Sequence, residues 1–154
     1  MAEDEPGVTP ALEAARRRRV ELHEALIRLE TEISSPGHGR AEGWARDVSN
    51  ALTNLRAAFD EHIEATERPG GLYEEILENS PRLAGQVRRL QDEHPTIRGA
   101  IVEAIEQVSG PIDDDELDDA RDGFQHLMGQ VVRHRQRGAD LVWEAYNLDI
   151  GGAE

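Results

Sequence analysis

Residues 81–108 read PRLAGQVRRLQDEHPTIRGAIVEAIEQV. Leu83, Val87, Leu90, His94, Ile97, Ile101, Ile105 and Val108 recur every three or four positions, the spacing of one face of an α-helix. The stripe is apolar except at its centre, where it runs through a histidine. Asn79-Ser80-Pro81 supplies a cap and a first-turn proline for its start, and Ser109-Gly110-Pro111 ends it. Pro95, directly after His94, removes one backbone hydrogen bond and leaves the Gln91 carbonyl without its normal partner. It predicts a kink that re-aims His94 or, alternatively, a break between two shorter helices.

The pattern repeats outward in both directions. A first stripe runs Leu12, Ala15, Leu22, Leu26, Leu29, Ile33 behind the Thr9-Pro10 start, with Arg19 as its exception. A second runs Trp44, Val48, Ala51, Leu55, Phe59, His62, Thr66. A fourth runs Leu117, Ala120, Phe124, Leu127, Val131, His134, Gly138, Leu141, Ala145, led in by Asp113-Asp114-Asp115. Ser34–Gly39 and Arg68–Gly71 are the other breaks, and a short helix over about 72–78 follows the second of them. Four amphipathic helices with short connections predict an all-α, antiparallel up-down-up-down four-helix bundle, with a short extra helix between helices two and three. Residues 1–8 read as a disordered acidic N-terminus, 9–150 as the bundle and 151–154 as a tail.

Composition narrows the chemistry. The chain has 154 residues with 17 basic and 32 acidic side chains, a formal net charge of -15. Every basic residue is arginine, and lysine and cysteine are both absent. Thiolate metal sites, disulfides, Schiff bases and a phosphate-loop lysine are therefore excluded. Histidine and carboxylate remain as metal ligands and proton carriers. The acidic balance argues against nucleic acid or an anionic membrane as partner. The run Arg16–Arg19 spreads around a helix and reads as solvated arginines paired with Glu13, Glu21 and Glu24. No apolar run approaches a membrane span or a signal-peptide core, so a cytoplasmic location is expected.

Three stripes pass through a histidine, His62, His94 and His134, and His23 lies beside stripe position Leu22. One inward histidine is usually a satisfied core residue. One from each helix suggests a shared ligand, because a metal satisfies several buried imidazoles at once. At 1.5 Å per residue the four fall between about 16 and 31 Å from one end of the bundle, a spread that permits the site without requiring it. His38 lies in a glycine-rich loop, and His126 sits one position off the fourth stripe.

These histidines, together with EHIEATERPGGLYEEIL at 61–77, PRLAGQVRRLQDEHP at 81–95 and YNLDIGG at 146–152, resemble the hemerythrin-like family, also called the histidine–histidine–glutamate cation-binding domain. The resemblance spans roughly residues 15–152. It implies a four-helix bundle holding a non-haem iron centre, usually di-iron, that handles oxygen, nitric oxide or peroxide. It also implies His23, His62, His94 and His134 as metal ligands. The family places His-x-x-x-Glu on helices two and four, with a nearby Asp an alternative on the latter. Here Thr66 and Gly138 stand at the carboxylate positions. Two metal ions need anionic bridges to offset their repulsion, and neutral imidazoles supply none. Glu67, Asp140 and Glu30 are the substitute ligands, with Thr66 and Arg98 beside the site.

The expectation is thus an altered, histidine-rich centre, either mononuclear or a di-metal site using Glu67 or Asp140. Iron is the metal that the resemblance implies, and zinc or manganese is compatible with the ligand types. The alternative is a metal-free bundle acting as an interaction or structural protein. Whether the chain is an enzyme stays open at this point, since no nucleophile or oxyanion motif is present.

Overall fold

The computed structural model describes residues 8–148. The acidic residues 1–7 and the 151–154 tail lie outside the described residues. The chain is all-helical, and no strand occurs among the described residues. Its long helices are α1 (Pro10–Ser34), α2 (Ala41–Glu67), α4 (Ala84–Gln107) and α5 (Asp114–Val142). The short α3 (Leu72–Asn79) lies between α2 and α4, as the sequence predicts. A 3₁₀ turn, Pro81–Leu83, leads into α4, and a π-helical turn, Trp143–Leu148, follows α5. Helix α1 packs on α2, α2 on α4, and α4 on α5.

Local chemistry sets the helix ends. The Thr9 hydroxyl oxygen accepts the Leu12 N–H at 3.2 Å, with Pro10 in the first turn. Asp113 and Glu116 form a reciprocal capping box at the start of α5. Arg121 donates from Nε to the Ile33 carbonyl and from Nη2 to the Ser35 carbonyl, each at 3.0 Å. Those carbonyls close α1, whose last turn holds no basic residue of its own. Helix α4 runs through Pro95 without a break, so the alternative of two shorter helices is not what forms.

The turn between α2 and α3 matters for the site. Gly70 adopts φ +76°, a left-handed conformation that favours glycine. At Gly71 a Cβ would lie 2.8 Å from the carbonyl oxygens of Ala65 and Arg68. The chain therefore doubles back tightly and carries Tyr73 over His94, their ring centroids 5.9 Å apart. Glu75 of α3 then accepts from the Thr9 hydroxyl at 2.6 Å and from the Tyr146 hydroxyl, tying α3 to both ends of the chain's helical part.

The apolar stripes build two clusters. The larger holds Trp44, Leu55, Phe59, Ile101, Phe124 and Val131; the smaller holds Leu12, Leu72, Tyr73, Ile76, Leu90 and Leu141. The three stripe histidines lie at the seam. Phe59 of the larger cluster sits 5.7–5.8 Å from each of their rings, and Tyr73 of the smaller stacks on one of them.

Candidate metal centre

His62, His94 and His134 converge, their ligand atoms all within 4.8 Å of one another. His134 is the hub. Its Nε2 lies 3.2 Å from His62 Nε2 and 3.1 Å from His94 Nε2. His94 and His134 are each 1% exposed. His62 is half-buried as a residue, but its Nδ1 is sealed from solvent.

The outer nitrogens are held unequally. His134 Nδ1 lies 2.7 Å from Glu93 Oε1, and His94 Nδ1 pairs closely with Glu67 Oε2. Ionised carboxylates only accept, so each of these Nδ1 atoms carries the proton and each Nε2 presents a lone pair. His62 Nδ1 has no partner among the described residues. Two lone pairs thus face each other at 3.1 Å between His94 and His134. A shared proton or a cation resolves that repulsion. Burial opposes the proton: it holds the pKa of His62 well below the ordinary imidazole value, with the charges of His94 and His134 next in importance. Burial is also the first cause of the lowered values of His94 and His134, against the opposing pull of Glu67 and Glu93.

The donor set fits a metal ion. Metal–nitrogen bonds of about 2.0–2.1 Å in a tetrahedron put ligand nitrogens about 3.3 Å apart, close to the two Nε2 separations. Carboxylates on the outer nitrogens are the usual way to fix the tautomer and raise the basicity of metal-binding imidazoles.

The remaining expected site residues are placed as follows. Glu67 reaches the cluster, but through His94 rather than as one of the converging ligand atoms. Thr66 is buried, and its hydroxyl donates to the backbone carbonyls of His62 and Ile63, so it offers no bridge. Three candidate ligands do not join. His23 is exposed, because it follows buried Leu22 by one position, about 100° around α1. The α1 residues that reach the level of His62 are Ala15 and Arg19, which line the same cavity as His62. Glu30 is exposed on α1, and Asp140 is exposed and accepts from Gln136 at 3.1 Å. Arg98 points away from the cluster to Asp60, at 2.8 Å. His38 pairs with Asp118 at 2.8 Å on the surface, and His126 is exposed.

Two contributors were hidden in the sequence. Glu93 looks like one more acidic residue beside His94, yet it serves the histidine of a different helix. Its partner Arg137 lies three positions after His134, and that helical spacing was the available signal. Tyr73 belongs to the short helix, whose placement depends on the glycine turn.

A pH prediction follows from the lowered pKa values. Each clustered histidine titrates near 6.5 when the chain is unfolded and lower when folded. Between those values the unfolded chain binds more protons, so stability is full above about pH 6.5 and is lost as the pH falls through the folded pKa values. The slope is up to about 1.4 kcal/mol per pH unit for each histidine. In the presence of a chelator, the urea midpoint is expected to fall between pH 7.5 and 5.5. A flat midpoint over that range would contradict the burial of neutral imidazoles.

Compared with known protein families, curated proteins and solved structures, the chain matches none.

Proposed function

We propose that this chain is a hemerythrin-like, antiparallel up-down-up-down bundle that binds a single metal ion through His62, His94 and His134. The observation that carries this reading is the convergence of three Nε2 atoms, two of them with the opposite nitrogen held by a carboxylate. The helix-to-helix packing and the four inward stripes support the bundle topology. One ion is favoured over two because Thr66 and Gly138 provide no bridging carboxylate, while Asp140 and Glu30 turn outward.

The residues have distinct tasks. Glu67 and Glu93 fix the tautomers of His94 and His134 and balance the charge of a divalent ion. Phe59 and Tyr73 cover the cluster on two sides and limit water. Arg137, 3.0 Å from Glu93 Oε2, holds that carboxylate in place. Iron held by these three histidines would supply a redox-active position for oxygen, nitric oxide or peroxide, whereas zinc would supply Lewis acidity.

Protein purified without a histidine tag and reconstituted with ferrous iron, zinc or manganese is expected to retain about one equivalent of one of these per chain. After oxidation of the ferrous form in air, a near-ultraviolet charge-transfer band is expected with iron. Protein that refuses all three metals would overturn the reading. It would favour the second one, a metal-free bundle serving as an interaction or structural protein, which the missing carboxylates at positions 66 and 138 support.

A further inference from the structure

A cavity of about 250 Å³ lies beside the histidine cluster, with His62 and His134 in its wall. Most of its lining is apolar, including Leu12, Leu72, Leu141 and Val142. Three arginines, Arg16, Arg19 and Arg135, lie on it. Arg19 and Arg135 both line the cavity, close enough to repel each other electrostatically. Neither has a carboxylate partner among the described residues, and the Arg135 Nε is sealed from solvent with no acceptor. Both guanidiniums also act electrostatically on His62.

Among the described residues no acidic side chain lines the cavity, in a chain that has 32 of them. Some arginines away from it do have carboxylate partners: Arg18 has Glu21 and Glu61, Arg98 has Asp60, and Arg137 has Glu93. Arg19 is the one charged position in the apolar stripe of α1; it is exposed at the edge of the cavity, and Arg16 of the same run lines the cavity with it. Guanidiniums without a carboxylate make a donor set for an anion. The apolar walls select an anion that brings its own apolar body, since a bare inorganic ion would leave them wet.

We propose that this cavity binds a small carboxylate with an apolar body, its carboxylate accepting hydrogen bonds from Arg19 and Arg135. The proposal stands on the cavity and its arginines and does not require a metal.

The test uses octanoate, 1-octanol and inorganic phosphate against the full chain, treated first with chelator and then metal-loaded. Octanoate is expected to bind the metal-free protein and to change the fluorescence of Trp143, which lines the cavity. Octanol and phosphate should each bind at least about tenfold more weakly, for want of charge-assisted hydrogen bonds or of an apolar body. Arg135→Met should weaken octanoate by a similar factor and leave octanol unchanged. Gly138→Leu fills a wall position where an added Cβ meets nothing within 4 Å, and it improves helix propensity. It should keep full helix content by circular dichroism while losing octanoate. Octanol or phosphate binding as tightly as octanoate, or an unchanged octanoate affinity in Arg135→Met, would overturn the proposal. Because the metal-free protein is measured first, either result leaves the metal reading to its own experiment.

Discussion

His134→Ala is expected to lower metal affinity by about 10²–10³-fold. A structural zinc site is worth roughly 10–16 kcal/mol over four ligands, or about 3–4 kcal/mol per ligand, and each 1.4 kcal/mol is about tenfold. His134 is the most informative ligand to remove because its Nε2 touches both other Nε2 atoms. The fold should survive. Glu93 keeps Arg137 at 3.0 Å and Arg89 at 3.8 Å, so no buried charge is orphaned. The repulsion between facing lone pairs is also relieved. Glu93→Gln retains the ligand and removes only the carboxylate behind it, and should cost about 10–100-fold. His23→Ala, on the exposed face of α1, should bind metal like the parent. Competition with a chromophoric chelator measures all three. Equal affinity across the series would remove the case for a centre built on His134, and a loss in His23→Ala would mean that the first helix contributes after all.

The stripes at intervals of three and four were enough to read the four long helices, and the punctuation between them gave the breaks. They also singled out His62, His94 and His134, because a histidine that replaces an apolar residue in a stripe inherits its inward direction. His23 shows the limit of that logic. It sits beside its stripe, and about 100° of helix rotation separates burial from exposure. Carboxylate placement was less legible still. A search four residues after each histidine looks within one helix, whereas Glu93 reaches across from α4 to α5 and Glu67 reaches from α2 to α4. Such pairings depend on which helices are neighbours and at what level, and neither is encoded in the periodicity of a single helix. Arg19 was visible as an exception in the first stripe. Its meaning required the cavity that α1, α2, α3 and α5 enclose together.

Phe59→Ala is expected to destabilise the protein by about 3–5 kcal/mol, the usual cost of deleting a fully buried aromatic ring. Its consequence for the site is more specific than the loss of stability. The Phe59 ring lies 5.7 Å from the ring centroids of His62 and His94 and 5.8 Å from that of His134, so it is the apolar floor common to all three. Burial is the first cause of each histidine's lowered pKa. A cavity beneath them that admits water weakens that cause, and the three values should move up toward 6.5 together. Protons then compete better for the Nε2 lone pairs, so metal affinity at pH 6 should fall more than at pH 8. Phe59→Leu keeps an apolar side chain in the space and should show a smaller stability loss and little change in the pKa values. Urea denaturation gives the first quantity and histidine ring resonances titrated by NMR give the second. A large stability loss in Phe59→Ala with unmoved histidine titrations would separate the two effects. It would place the low pKa values in the charges of the cluster itself rather than in its exclusion from water.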